Sequence, residues 1–370
     1  MFTNDPLVLS GFRASRRIWQ GIPSIERSKG GRLFVSFYSG GTTEQLGNYC
    51  ALVISDDDGK TFSEPIAAAV PEDGHRCYDS CLWIDPKGRL WFWWAVMPDH
   101  AVWTVTCDDP DAEVLRWSEE RKIGCDVMMN KPIVTSAGDW LFPMAVWASS
   151  VAVLHEHRSL REETAPFVWR SSDEGKTFMK IGGPEIDNRS FDEHMILEND
   201  DGSLRMLVRT HDGIAEARST DGGRTWTHGI KSELTGPDSR FHIKRLRSGR
   251  VLLVNHANFT GRNNLTAFLS EDGGKTWCAS LLLDGRSGVS YPDCASENGD
   301  GFLYIVYDHE RGGYKSCFAD AKKEAREILY AKITEDDILA GCLVNPGSRL
   351  ACVATKLGEY DGDADALYRK

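Results

Sequence analysis

Four stretches of the chain repeat one pattern: "SDDDGKTF" (55–62), "SSDEGKTF" (171–178), "STDGGRTW" (219–226) and "SEDGGKTW" (270–277). Each reduces to Ser-x-Asp-x-Gly-x-Thr-aromatic, and each follows a β-rich run such as "YCALVI" (49–54) or "NNLTAFL" (263–269). The last three start 48 and 51 positions apart, and the first gap of 116 spans two such units, with a worn copy at "TCDDPDAEVLRW" (106–117). A period of about fifty residues is that of a propeller array with one four-stranded blade per repeat. "SYPDCASENGDGFLYIVYDHERG" (290–312) and "EILYAKITEDDILAG" (327–341) supply strands for a last blade, where "TEDD" (334–337) reads as another worn corner. Blades of this period take up nearly the whole chain, and no Pro/Ser-rich linker divides it. The expectation is an all-β, six-bladed β-propeller formed by residues 1–370 as a single domain.

Within the repeat the chemistry is local. Ser and Asp accept bonds from nearby backbone N–H groups, glycine supplies a positive-φ position, and the terminal aromatic packs under the turn. The boxes are therefore hairpin corners. "DGKT" and "GGKT" imitate the end of a phosphate-binding loop, but the glycine required five places before Gly-Lys is absent, since positions 54, 170 and 269 hold Ile, Arg and Leu. No nucleotide site follows.

Bulk properties bound the function. Twelve Trp, 15 Phe and 10 Tyr favour strands, and 41% hydrophobic residues allow a sizeable core. A formal net charge of -12 opposes nucleic acid and anionic membrane as general partners, while leaving room for a small anionic ligand held by a few arginines. The ten cysteines include no C-x-x-C pair and read as buried free thiols in a reducing compartment, not as a disulfide framework or zinc site. The first thirty residues show no basic stretch followed by an apolar core, and no segment approaches membrane-span length. The expectation is a cytoplasmic protein, or a secreted one whose leader has been removed; cytoplasmic placement implies an imported sugar as substrate. No cofactor or metal is called for.

Between the boxes the chain resembles the sialidase superfamily, whose members carry such boxes on a six-bladed propeller; the resemblance spans roughly residues 17 to 340. "FDEHMILENDDGSLRMLVRT" (191–210) is similar to the family stretch in which a glutamate opens a strand and an arginine ends the return strand. This matches Glu193 to the family's base and Arg209 to a substrate-binding arginine. "GRNNLTAFLSEDGGKTW" (261–277) matches a further arginine to Arg262, and "GVSYPD" (288–293) places the nucleophilic tyrosine at Tyr291. "SGGTTEQLGNY" (39–49) stands where the family has its carboxylic acid/base, usually an aspartate; Glu44 is the acid in that loop. "CYDSCLWIDPKGRLWFW" (77–93) resembles the segment with a pocket aspartate, here Asp79.

The chemistry asks for such a set. Glycoside cleavage needs a proton donor for the leaving oxygen and a group to stabilise an oxocarbenium-like centre, and sialidases, with their tyrosine nucleophile, are a recognised exception to the two-carboxylate scheme. A carboxylate on the anomeric carbon repels an anionic nucleophile, whereas a neutral phenol activated by a glutamate avoids that repulsion. On this reading Glu193 takes the proton of Tyr291, Glu44 protonates the departing group, and Arg209 and Arg262 hold an anionic group through paired donors. Without the resemblance, the two arginines read as surface ion pairs, Tyr291 as a core tyrosine, and Glu193, Glu44 and Asp79 as solvated acids.

One position departs from the pattern. The family's first carboxylate-binding arginine lies in an aromatic-Arg-Ile-Pro motif, and here "WQGIP" (19–23) puts Gly21 in its place. Arg17 is four residues earlier, about 13 Å away along a strand, and Arg16 faces the other side; Arg76 or Arg240 could enter from a loop. Losing one bidentate contact costs about 1.5–3 kcal/mol of carboxylate binding. "YIVYDHERG" (304–312) places Asp308 where the family has the acid that supports the first arginine, so with that partner gone Asp308 is expected to accept hydrogen bonds from substrate hydroxyls.

Other constellations are weaker. His155 and His157 in "LHEHR" share a strand face without a third metal ligand, Trp91 and Trp93 alternate as core residues, and "SRFHIKRLRSGR" (239–250) reads as a pocket rim or a solvated hairpin. The leading function is an exo-acting glycoside hydrolase taking a small, terminal sialic-acid-like or other acidic or deoxy sugar. The alternatives are a carbohydrate-binding propeller without catalysis and a propeller lyase acting on uronic acids.

Overall fold

The computed structural model describes residues 1–98, 100–125, 127–147, 164–311 and 326–362. His155 and His157 lie outside the described residues.

Six antiparallel sheets succeed one another along the chain, each a meander whose sheet order is its chain order. Their innermost strands are Gln20–Arg27, Arg76–Ile84, Ile133–Val134, Arg189–Glu198, His242–Arg245 and Val289–Cys294, which define blades 1 to 6. The short strand Phe2–Thr3 adds to the outer edge of blade 1, against Ala67–Ala69. This is the six-bladed propeller expected from the fifty-residue period.

The last blade contains no N-terminal strand, so blades 1 and 6 are joined by polar bonds instead of a shared ladder. The Ser24 hydroxyl and the Ile25 N–H both donate to Asp293, at 2.6 and 3.0 Å. The Ile22 N–H donates to Asp308 at 2.8 Å, and the Gln20 N–H donates to the carbonyl of Arg311 at 3.1 Å. Lys131 continues this network toward the ring axis, 3.0 Å from both Glu26 and Asp293. Fully buried Arg240 donates to Asn130 at 2.8 Å and lies 3.4 Å from Asp293. The stretch Ser239 to Arg250 is not a solvated hairpin at its start, because Arg240 and His242 are drawn inward beside Asp293, and its residues His242 to Arg245 line a cavity on the side away from Tyr291.

The four repeats lie at the end of the third strand of blades 1, 3, 4 and 5. In each, the serine hydroxyl donates to the aspartate at 2.8 Å. The same hydroxyl accepts the glycine N–H, and the threonine hydroxyl donates to the aspartate's other oxygen. These bonds hold Asp57 and Asp173 down at about 2, the threonine hydroxyl contributing most. The worn copy at 106–117 occupies the same corner of blade 2 through a Cys107–Trp117 bridge. In blade 6 the corner is a short helix, Glu335–Ala340, capped reciprocally by Thr334 and Asp337.

Trp91 and Trp93 are fully buried, and Trp83, Trp91, Trp140 and Phe142 wedge blades 2 and 3 together, with Trp83 edge-on to Trp140 at 4.9 Å. The nine described cysteines are free thiols; Cys278 and Cys342 are exposed, so burial holds for only part of the set.

Candidate active site

The innermost strands of blades 1, 2, 4 and 6 slip register near their N-terminal ends, between Gly21 and Ser24, Tyr78 and Cys81, Asp192 and Met195, and Ser290 and Asp293. Within each slip a non-glycine residue takes positive φ: Ile22 at 54°, Asp79 at 47°, Glu193 at 43° and Tyr291 at 56°. Such bulges re-aim a side chain out of strand alternation, and their conformational cost is carried by the surrounding sheet. Three of the four re-aimed residues bear titratable groups, and two of them meet directly.

The Tyr291 hydroxyl donates to Glu193 Oε1 at 2.7 Å. Arg209 Nη1 donates to the same carboxylate oxygen at 2.6 Å and to the phenol oxygen at 3.1 Å. Glu193 belongs to blade 4, Tyr291 to blade 6, and Arg209 comes from the second strand of blade 4, paired opposite Asp192. Burial first, and then the Glu193 charge, push the Tyr291 phenol up to about 12 against the opposing Arg209, Arg262 and Arg311. Tyr291 is thus a neutral phenol at neutral pH, hydrogen-bonded to the Glu193 carboxylate.

Asp238, absent from the sequence expectations, fixes both expected arginines. Its carboxylate accepts Arg209 Nε at 2.6 Å, and its backbone carbonyl accepts Arg209 Nη2 at 3.0 Å and Arg262 Nη2 at 2.9 Å. Arg262 lies beside the same phenol, with its guanidinium carbon 5.2 Å from the Tyr291 ring centre.

The glycine at 21 has a counterpart. A Cβ built there would lie 2.6, 2.8 and 3.0 Å from Cδ, Cγ and Nε of Arg311, so the Arg311 side chain runs through the space left at Gly21. Arg311 follows the second strand of blade 6 and is 7% exposed. Its Nε donates to Asp308 at 2.7 Å, and its guanidinium carbon stands 4.1 Å from the Tyr291 ring centre. Burial opposes its charge, but Asp308, Tyr291 and Glu44 outweigh burial and raise its pKa.

This corrects the expectation for Asp308. Its Oδ1 accepts the Ser290 hydroxyl at 2.6 Å, its Oδ2 accepts the Ile22 N–H and Arg311, and the residue is fully buried. No face of it is offered to a substrate hydroxyl. Of the other arginines considered for position 21, Arg17 bonds Gln20 and Thr355, Arg16 bonds Asp361 and Arg240 bonds Asn130, whereas Arg76, over the Tyr78 ring at 4.1 Å, stays at the site, where its charge acts on Asp79.

Glu44, in the blade 1 loop, has a side chain 40% exposed and accepts from Arg311 Nη1 at 3.2 Å. Asp79 is buried, and burial first, then the Glu44 charge, push its carboxyl up to about 8, with Arg76 and Arg311 opposing. Asp79 is therefore held as a neutral acid near neutral pH. At the opposite ends of the innermost strands a cavity of about 550 Å³ opens among Trp83, Lys131, His242 and Lys244, away from Tyr291 and Glu193.

A family model for the BNR repeat-like domain matches residues 66–305. The chain belongs to the BNR repeat-like family. No curated protein matches it in sequence. Solved structures share the fold of this BNR repeat-like chain at low identity. The NanB sialidase from Streptococcus pneumoniae has a TM-score of 0.64 and 15% identity, covering 88% of this chain and 70% of its own. The intramolecular trans-sialidase from Ruminococcus gnavus has a TM-score of 0.61 and 15% identity over 91% of this chain and 98% of its own. An α-L-arabinanase from Penicillium chrysogenum follows at 0.52 and 12%, over 88% and 96%. The likeness is to propeller glycoside hydrolases, and it shows the fold.

Proposed function

We propose that the chain is an exo-acting glycoside hydrolase of the sialidase type, cleaving a small terminal sugar that carries a carboxylate. One observation carries the reading: a buried phenol, Tyr291, donates to a buried carboxylate, Glu193, at 2.7 Å, with a guanidinium 3.1 Å from the phenol oxygen. Three arginines around one phenol suit a substrate whose reacting carbon carries a carboxylate. The fold shared with sialidases and an arabinanase supports the same class.

The steps follow from the side chains. The Tyr291 oxygen forms a bond to the anomeric carbon as the bond to the leaving oxygen breaks; Glu193 takes the phenol proton, and Glu44 gives one to the leaving oxygen. Water then attacks the anomeric carbon, its proton passes to Glu44, and Glu193 returns a proton to the released tyrosinate. Two displacements at one carbon give net retention. Arg209 bonds both partners of the nucleophilic pair and fixes their separation. Asp79, kept neutral by burial, adds no charge beside an anionic sugar and presents a hydrogen-bond donor.

A panel of aryl glycosides of acidic and neutral sugars tests the proposal, with wild type compared with Tyr291→Phe. Turnover of an acidic glycoside that Tyr291→Phe abolishes is the expected result. A folded wild type inert on the whole panel overturns the assignment.

A further inference from the structure

We propose that Arg311 supplies the guanidinium missing at position 21: it grips the substrate carboxylate together with Arg209 and Arg262, and Gly21 is the vacancy that admits it. The proposal rests on the reading of the site as one for a carboxylate sugar. It assigns this task to a residue just after a blade 6 strand, where the sequence pattern puts an acid, Asp308, but no arginine.

Three observations carry it. The Arg311 side chain passes within 2.6–3.0 Å of where any side chain at 21 begins, so the two positions compete for one volume. The competition is settled by Asp308, which takes Arg311 Nε at 2.7 Å while also accepting the Ile22 N–H, the next backbone donor after the glycine. A buried acid keeps an arginine at this corner of the pocket although the arginine now arrives from the opposite side. Lastly, the guanidinium lies over the Tyr291 ring at 4.1 Å, joining Arg262 at 5.2 Å and Arg209 at the phenol oxygen.

The outer end of Arg311 shows how an anion is received. Nη1 donates at 3.2 Å to Glu44, whose side chain is 40% exposed, and Nη2 makes a long 3.4 Å bond to the Ser290 hydroxyl. A ligand carboxylate competes for these donors with a half-exposed glutamate on a loop, while the buried Nε bond to Asp308 stays in place. When Glu44 carries the proton it delivers in catalysis, its pull on Arg311 Nη1 weakens, and a substrate carboxylate competes for that donor on better terms.

The test uses 2-deoxy-2,3-didehydro-N-acetylneuraminic acid and its methyl ester as probes, titrated calorimetrically into the full chain. Wild type is expected to prefer acid over ester. Arg311→Ala should weaken acid binding about 10- to 100-fold and leave ester binding within about twofold. Arg311→Lys, which keeps the charge and loses the fork, should fall between. Removing Arg311 strips buried Asp308 of its cation, so thermal melts accompany each variant, and a double variant, Gly21→Arg with Arg311→Ala, serves as the reciprocal swap. Recovery of acid preference in the swap, with Gly21→Arg alone showing none, supports exchange of one guanidinium between two positions. An unchanged acid-to-ester ratio in folded Arg311→Ala overturns the proposal, as does a wild type without preference. If wild type hydrolyses a neutral aryl glycoside through Tyr291 without acid preference, the Arg311 assignment falls and the nucleophile stands. If acid preference depends on Arg311 but nothing is turned over, the catalytic reading falls and the anion grip stands.

Discussion

Replacing Glu193 by Gln preserves its shape while removing the proton acceptor 2.7 Å from the Tyr291 oxygen and the anion 2.6 Å from Arg209. With the phenol pushed up to about 12, only about one molecule in 10⁵ is ionised at neutral pH without a base. A positioned general base is worth about a hundred- to ten-thousand-fold, so kcat on an aryl glycoside should fall by about that factor. KM should change little, because Arg262 and Arg311 remain. The pH profile sharpens the test. After burial, the Glu193 charge is the chief cause holding the phenol high, and its loss leaves burial opposed by Arg209, Arg262 and Arg311. Tyr291 should therefore ionise more easily in the variant, and the variant's rate should keep climbing through the alkaline range where the wild type has levelled. Steady-state kinetics with a 4-methylumbelliferyl glycoside read both effects; the aryl leaving group departs with little help from an acid and so isolates the nucleophilic pair. A loss under about tenfold, or a variant profile parallel to that of wild type, refutes the assignment of Glu193 as base.

Further outcomes follow from the same geometry. Gly21→Ala sets a Cβ 2.6 Å from Arg311 Cδ, against a normal carbon separation of about 3.5–4.0 Å. Arg311 must retreat by roughly 1 Å and give up its 2.7 Å bond to Asp308, so acid binding should weaken about tenfold, and unchanged binding with intact folding contradicts this. For Asp79 the folded value, about 8, lies above the ordinary 3.8; its contribution to stability is fully present below the ordinary value and lost as pH rises through about 8. Asp79→Asn should accordingly gain Tm over wild type toward alkaline pH and show no such gain in acid, and scanning fluorimetry showing a pH-independent gap would count against it. Asp57 and Asp173 are displaced the other way, to about 2, so their contribution is present above the ordinary carboxylate value and disappears as pH falls toward about 2. Acid melts of Asp57→Asn should converge on wild type in that window. Ser270→Ala removes a buried hydroxyl that donates to Asp272 and accepts from Gly274, each at 2.8 Å, at a cost of about 1–2 kcal/mol. Tm should drop by roughly 1–3 °C with kcat unchanged.

The fold was legible because its corners are chemical. Ser, Asp, Gly and Thr at fixed offsets close the same hydrogen-bonded turn wherever they recur, so the blade period can be read without knowing the strands. That Tyr291 and Glu193 meet was legible through the resemblance to a family pattern, and the bulges at both positions account for side chains that break strand alternation. Asp238 escaped notice because it binds Arg209 and Arg262 partly through its backbone carbonyl, which no side-chain pattern encodes. Arg311 was not legible because it lies far from position 21 in the chain and reaches it only across the closure between blades 1 and 6. A signal was nonetheless present: an acid retained at 308 after its usual partner had gone requires a cation, and Arg311 is three residues on. The role expected for Asp308 failed for the same reason, since its oxygens were already taken.

The proposed mechanism requires Tyr291 to form a bond to the sugar. Intact and peptide mass spectrometry after incubation with a 2,3-difluoro sialic acid, which forms the glycosyl-enzyme readily and releases it slowly, tests this directly. A stoichiometric adduct is expected on the peptide containing Tyr291, absent in Tyr291→Phe and slow to form in Glu193→Gln. Turnover of an acidic glycoside without that adduct, or with the label on another residue, contradicts it; sugar-dependent thermal stabilisation without product, untouched by Tyr291→Phe, identifies a binding propeller instead.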